Sequence, residues 1–558
     1  MSTNAQETPV PSETSPSSKR ETSGRFSLID WIAVTSGTHT RWYLAAIILL
    51  AALARIPFLG TIPNGFHNDE AIIGYDAYCI LHTGADHYGD FLPIFARSNN
   101  VYNEALHRYL AAISIWIFGL NVAAVRLPMA VAGILTVLLI YYFAAEFFGN
   151  KRTALLVAFL LAVNPWHVTL TRISFRAMLL SLFVIIGLWC VLRGRRKPVY
   201  FVLAGLSFGI SLYTYHGARG FVPFFVIGLV TIFWSSIRRG WKHFSVGAVI
   251  FLLVLMFLAS YWLSPTGMEH QSNLLRGGLP TWIANYSYNL SPGFLFVLGN
   301  QHGTWSRMIP APGLAPMQYF EIITVSVGVI ALIRSWKSEY WLLVLWLAIY
   351  PIAASLSYQG SGYLLRLTTG PLLFALISGY GLSRILDKTR TRHRTWVVAI
   401  GAVIVATSIT TSAYFYFVHQ PRYVQREWQY GVAEAFDTAK THTSSEIFIS
   451  AGIWSAYMHM LFHTGYPPLD AQTVMSSLSL PKSGYLTRIT DVSFGRYHIC
   501  SEDRVLAESA SDNGSIAIVT PEDVSDIDIA ERFETIKRID YADGEPAYFV
   551  LRSVESAN

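Results

Sequence analysis

Charge is scarce in this chain. Of its 558 residues only 14% are Asp, Glu, Lys or Arg, against 53% hydrophobic residues and a mean hydropathy of +0.39. A soluble protein carries about a quarter charged residues, so an ordinary cytosolic enzyme is excluded and a multi-pass membrane protein is implied. Cysteine is nearly absent too. Cys79, Cys190 and Cys500 stand far apart with no CxxC or Cys/His spacing, which excludes a disulfide framework and a zinc site. No internal repeat supports a transporter built from two similar halves. No long apolar run precedes Trp42, so no cleavable signal peptide is expected. With no DxD pair and no His/carboxylate grouping of metal-ligand spacing, neither a cofactor nor a metal is expected, and a divalent ion stays an open question.

What charge there is falls unevenly. Residues 419–558 hold 11 basic and 20 acidic groups, leaving 30 basic and 15 acidic for residues 1–418. The excess of base therefore belongs to membrane loops, not to a nucleic-acid-binding surface, and no nucleic-acid partner is expected. Residues 1–40, rich in Ser, Thr, Glu and Pro, read as a disordered cytoplasmic tail. Eleven apolar runs follow, at 42–60, 122–148, 149–166, 173–192, 199–215, 221–237, 243–263, 319–335, 339–356, 365–386 and 395–418. Each is near the ~20 residues needed to cross ~30 Å of hydrocarbon. Basic clusters at Lys151-Arg152, Arg193 to Lys197, Arg238-Arg239 and Lys388 to Arg394 fall on the side of the amino-terminal tail, which is the cytoplasm.

The expected fold is thus a polytopic α-helical membrane protein of about eleven transmembrane helices, amino terminus inside and carboxyl terminus outside. Outside lie two loops, 61–121 and 264–318, and the tail 419–558, whose short β-rich runs alternate with polar helical segments and suggest a small extracytoplasmic α/β domain. Tyr109 to Leu120, too short to span, suits a helix in the interface.

The first outer loop holds the densest polar signal: His67-Asn68-Asp69-Glu70, Tyr75-Asp76, Asp86-His87-Tyr88, Glu104 and His107-Arg108. A poorly solvated carboxylate at a membrane surface is a stronger base than one in water, although helix-capping acids in a solvated loop are the plainer reading. Arginines mark the same side: Arg55, Arg126, Arg172, Arg176, Arg219, Arg307 and Arg366 map to outer span ends or outer loops. Arg172 and Arg176, four apart, would share one face of a helix. Snorkelling explains any one of them, Arg126 or Arg219 above all, whereas the set suits a lipid phosphate held by planar guanidinium forks. The second loop adds aromatics and His302 to Arg307, readable as sugar contacts or as an aromatic belt, and His216 stands at an outer span end, readable as a ligand, an acid/base or a structural histidine.

Phe66 to Gly89, FHNDEAIIGYDAYCILHTGADHYG, with Ala124-Val125-Arg126-Leu127-Pro128, Asn164-Pro165-Trp166-His167 and Thr171-Arg172-Ile173, resembles the amino-terminal half of the bacterial GT-C glycosyltransferases. It looks most like the protein O-mannosyltransferase family and the aminoarabinose transferases that modify lipid A. The resemblance covers residues 42–390 and implies sugar transfer from a polyprenyl-phosphate carrier to an acceptor outside the cytoplasm. It implies Asp69 as catalytic base with Glu70 beside it, and Arg366 of Gly362-Tyr363-Leu364-Leu365-Arg366 near the donor phosphate. The family's Lys-Pro pair late in the first loop is replaced here by Glu104-Ala105-Leu106.

The expected activity is therefore an inverting glycosyltransferase using a lipid-linked sugar donor, in contact with membrane lipid, its acceptor (protein, glycan or lipid) undetermined. The expected phosphate clamp is Arg172, Arg176, Arg366 and Arg307, and the expected substrate contacts are His67, Tyr88, Glu104, His216 and His302. A transporter or flippase of lipid-linked saccharides is the alternative. It would place its arginines around a midplane cavity, not at the outer surface. A receptor acting through the acidic tail ranks third.

Overall fold

The computed structural model describes residues 37–98, 101–263, 277–299, 313–335, 337–389, 391–443, 445–478, 488–524 and 532–554. Most of the expected tail 1–40 lies outside the described residues, as do His302 and Arg307.

The chain opens with α1 (Gly37–Arg55) and α2 (Asn68–Thr83), then a hairpin of β1 (Phe95–Ser98) and β2 (Val101–Glu104). It continues through α3 (Leu106–Phe118), α4 (Val122–Phe148), α5 (Lys151–Ala162) and α6 (Pro165–Thr171) into further apolar helices. Among the described residues four helices are long and apolar enough to cross a membrane: α4, Trp241–Trp262, Ser338–Ser355 and Thr395–Tyr423. They become five if the bent pair α5 and α6 counts as one. Trp241–Trp262 and Thr395–Tyr423 have only 17% and 11% of their most apolar stretches buried. Apolar faces left this bare need lipid around them, and the molecule is a multi-pass membrane protein. Met178–Gly194, Tyr200–Ser211 and Gly217–Ile232, expected as full crossings, are shorter helices; twelve residues extend only about 18 Å.

The expected third span breaks where Pro165 stands. Asn164 caps α6 by accepting from the His167 N–H at 2.9 Å, Pro165 occupies its first turn, and α5 and α6 meet at 57°. Breaking a helix within the membrane frees carbonyls. Buried Arg55 satisfies them, donating to the Ala162 carbonyl at 3.0 Å and the Leu161 carbonyl at 3.4 Å, with its guanidinium 2.7 Å from His167 Nδ1.

The outer part is built on α2. His67 caps it, its Nδ1 accepting from the Asp69 N–H at 3.1 Å, while Glu70 completes a capping box. Beyond the membrane helices stands a six-stranded sheet of β3 (Ile447–Ser450), β4 (Val492–Phe494), β5 (Tyr497–Cys500), β6 (Ile516–Val519), β7 (Phe533–Asp540) and β8 (Pro546–Ser553), ordered β4-β5-β3-β6-β8-β7. Strands β5, β3 and β6 are parallel, and β3 and β6 are buried along their whole length, as parallel strands covered on both faces must be. This sheet shares its core with α2. Ile72, Ile73 and Tyr75 of α2 share one core with Ile449, Ile518, Met458, Leu461 and Phe462. The approach is close enough that a Cβ on Gly74 would lie 2.6 Å from the Phe462 ring.

Arg126 fixes the start of α2. Its guanidinium meets both oxygens of Glu70, at 2.9 and 2.7 Å, and donates to the carbonyls of Leu59, Pro63 and Gly65. Both residues are fully buried, so the snorkelling expected of Arg126 does not occur. Arg126→Met should strand a buried carboxylate, at a cost of ~3–5 kcal/mol. The expected result is a sharply lower melting temperature in detergent, with partial recovery in Arg126→Met/Glu70→Leu.

Candidate active site

Asp69 and Glu70 are neighbours with opposite environments. Glu70 is fully buried, and its Oε1 also accepts the Ser174 N–H at 2.7 Å. With every lone pair directed at protein, Glu70, expected to serve catalysis beside Asp69, has none free to accept a proton from a substrate. Asp69, about 100° further round the helix, keeps a side chain 32% exposed. It lies within electrostatic reach of Arg176 and Tyr363. Burial outweighs the charges of Asp69 and Glu70 at His67 and lowers its pKa, so the imidazole beside Asp69 is neutral.

Arg176 is held by the β-hairpin: its Nε donates to Glu104 Oε2 at 2.9 Å and its terminal amine to Asn103 Oδ1 at 2.6 Å. Arg219 takes the other Glu104 oxygen at 2.5 Å. Glu104 is 2% exposed. Burial alone would raise its carboxyl, yet Arg219 and Arg176 hold it below the ordinary value. Glu104, expected to touch substrate, instead positions two arginines. Arg366 lies over the Tyr363 ring at 4.6 Å and within electrostatic reach of Tyr215, whose ring is tilted 40° to that of His216 with centroids 4.0 Å apart. Asp69, Arg176, Tyr215, Tyr363 and Arg366 thus form one linked group, with His216 at its margin.

Arg172 does not join it. Its guanidinium donates to the carbonyls of Ala54, Pro57 and Ile62 at 3.3, 2.8 and 3.2 Å and is capped by Tyr416 and Phe417. The pairing expected from i,i+4 spacing fails because α6 ends at Thr171 and the next helix starts at Met178, so Arg172 and Arg176 lie in the connection between helices. Tyr88 also lies elsewhere, its ring 4.1 Å from that of His87 and Arg97 over its face. It flanks a buried network in which Asp76 pairs with His87 at 2.5 Å and Arg108 at 2.6 Å. Tyr215 and Tyr363 were missed from sequence, where tyrosines beside span ends look like any interfacial aromatic. Among the described residues no group of three His, Cys, Asp or Glu side chains could hold a metal ion.

Two kinds of similarity to known proteins are found, one in sequence and one in fold. The family model for dolichyl-phosphate-mannose-protein mannosyltransferase matches residues 105–262. The structure superposes on ArnT from Cupriavidus metallidurans bound to undecaprenyl phosphate with a TM-score of 0.57, at 13% identity, covering 93% of this chain and 99% of that one. The same enzyme in the apo state gives 0.54 at 13% identity, covering 92% and 98%. The fold is shared with ArnT. An uncharacterized protein of Aquifex aeolicus is 23% identical over 190 residues, 34% of this chain and 37% of that protein. The match thus spans little more than a third of that relative. The family-model match begins at Ala105, past Asp69, and takes in Arg176 and Tyr215.

Two outcomes follow from this division of roles. Arg172→Ala should lower the melting temperature, since three backbone carbonyls lose their donor, whereas Arg366→Ala should leave it unchanged. Separately, burial and then the Asp76 charge raise the Asp86 carboxyl to about 6. A raised folded-state value means stability is full below the unfolded value near 4 and declines as pH rises to about 6, by up to ~3 kcal/mol. Melting between pH 4 and 7 should show that decline, and Asp86→Asn should flatten it.

Proposed function

We propose that this protein transfers a sugar from a polyprenyl-phosphate carrier to an acceptor hydroxyl on the extracytoplasmic side, with inversion at the anomeric carbon. The observation carrying this reading is an accessible carboxylate, Asp69, fixed at a helix start and within electrostatic reach of Arg176 and of Tyr363, over whose ring Arg366 lies. A base and a phosphate clamp are the two parts that displacement of a lipid phosphate needs.

Asp69 takes the proton of the acceptor hydroxyl as its oxygen bonds to the anomeric carbon. The bond from that carbon to the carrier phosphate breaks, and the phosphate leaves with the electron pair. Arg176, steadied by Glu104 and Asn103, and Arg366, steadied by Tyr215, receive the charge developing there. Attack from the face opposite the phosphate inverts the centre. Arg172 has no part in this clamp, and His67 acts by holding the Asp69 backbone.

Replacing the base separates binding from chemistry. Purified Asp69→Asn should retain undecaprenyl phosphate as the wild type does and should lose transfer by at least 100-fold, within the range that general-base removal produces, ~10²–10⁴. Transfer would be followed as loss of the lipid-linked sugar that accumulates in cells lacking the gene, identified by mass spectrometry of lipid extracts. Full activity in this variant would remove Asp69 from the mechanism.

A further inference from the structure

Strand β3 is the central strand of the parallel trio, and the loop at its carboxyl end meets the start of α2. In open α/β sheets ligands settle outside the carboxyl ends of parallel strands, because the loops there diverge and leave a crevice. Here that loop, Ala451 to Ser455, is tight. Ser450 Oγ accepts the Gly452 N–H at 3.0 Å, the Ile453 N–H reaches the Ser450 carbonyl at 3.2 Å, and Ser455 sits at φ +53°, where a side chain is strained. Gln429, at φ +51°, donates to the Trp454 carbonyl and accepts from His459 Nε2 at 2.9 Å. Two strained residues thus fix the backbone of Trp454. Its ring is 39% exposed.

The loop rests directly on the residues around the base. The Trp454 ring lies edge-on to His67, with centroids 6.2 Å apart, and Asn68 Nδ2 donates to Ser455 Oγ at 3.5 Å. Two polar atoms at this contact are buried without a partner: His67 Nε2 and Asn68 Oδ1, each in a side chain 1% exposed. Their chemistry is complementary. His67 Nδ1 accepts from the Asp69 N–H, so the neutral ring carries its proton on Nε2 and that atom is a donor. Asn68 donates through its amide nitrogen, which leaves Oδ1 as an acceptor. Unpartnered buried polar atoms are costly, and a ligand that both donates and accepts relieves that cost.

We propose that Trp454, carried by the carboxyl-terminal sheet, is the stacking platform of an acceptor site beside Asp69, and that the acceptor is a saccharide. This rests on the glycosyl-transfer reading above. A pyranose ring presents an apolar C–H face to an indole and hydroxyls that donate and accept at its rim. A pyranose joins the two in one rigid unit, whereas a lipid tail offers the apolar face alone. The acidic tail is thereby part of the active centre, and acceptor choice is made on one side of Asp69 while the carrier phosphate is held on the other by Arg176 and Arg366.

The test is binding, not turnover. Full-length protein in nanodiscs loaded with undecaprenyl phosphate would be applied to an array of bacterial envelope oligosaccharides, peptides and lipid headgroups. The wild type should retain oligosaccharides and no peptide. Trp454→Ala should lose that retention at least tenfold, Trp454→Phe should keep most of it, and Asp69→Asn should bind as the wild type does. Equal melting temperatures of the three variants and the wild type keep the reading about binding. Retention of peptides or lipids only, of nothing, or of saccharides equally by Trp454→Ala overturns the proposal. The two readings fail separately: an inactive Asp69→Asn with an unaffected Trp454→Ala leaves the transferase standing without this platform, and an active Asp69→Asn removes the base whatever the array shows.

Discussion

The buried pair of Arg126 and Glu70 is the constraint from which the outer half of the molecule is built. A guanidinium and a carboxylate removed from water are tolerable only if every remaining donor and acceptor is satisfied, and here nearly every one is. Glu70 accepts from Arg126 and from the Ser174 and His67 backbones, and Arg126 also binds three carbonyls between Leu59 and Gly65. One pair therefore ties the segment between α1 and α2, the start of α2 and the connection after α6. It also decides which face of α2 carries Asp69. Gly65 has a part in this. At φ +103°, a Cβ there would fall 2.1 Å from the Trp428 carbonyl, so only glycine lets the segment leading to the outer sheet pass this close.

That arrangement explains what could be read from the residues in order and what could not. Helix α4 runs from Val122 to Phe148, where its apolar run begins and ends, because a helix facing lipid needs unbroken hydrophobicity and shows it. The break at Asn164-Pro165 is likewise local, a cap residue followed by the one residue suited to a first turn. The roles of Asp69 and Glu70 were not separable by type. Their separation comes from Arg126, 56 residues from Glu70, and from a helix that turns adjacent side chains apart. A capping-box reading of His67 and Glu70 would have given the signal, since a carboxylate bent back to its own cap is not free for a substrate. Arg172 and Arg176 misled for the converse reason: spacing of four means one face only where there is a helix.

The arginines of the outer side also divide by what surrounds them. Arg126 and Arg108 each meet a buried carboxylate, and Arg55 and Arg172 are spent on carbonyls that helix ends leave open. These four do structural work that a broken membrane helix and a buried loop require. The remaining set is not balanced. Glu104 is shared between Arg176 and Arg219, one negative charge for two positive ones, and among the described residues no carboxylate is within ion-pair distance of Arg366, which has tyrosines instead. Set against Asp69, the group keeps a surplus of positive charge in a half-buried place where desolvation makes such a surplus costly. An anion entering there relieves it, and a dianionic phosphate leaving group does so most as its bond to sugar breaks. The imbalance of charge is thus a feature of the ground state that favours the products of the proposed reaction, and it arises from one acid placed to serve two bases.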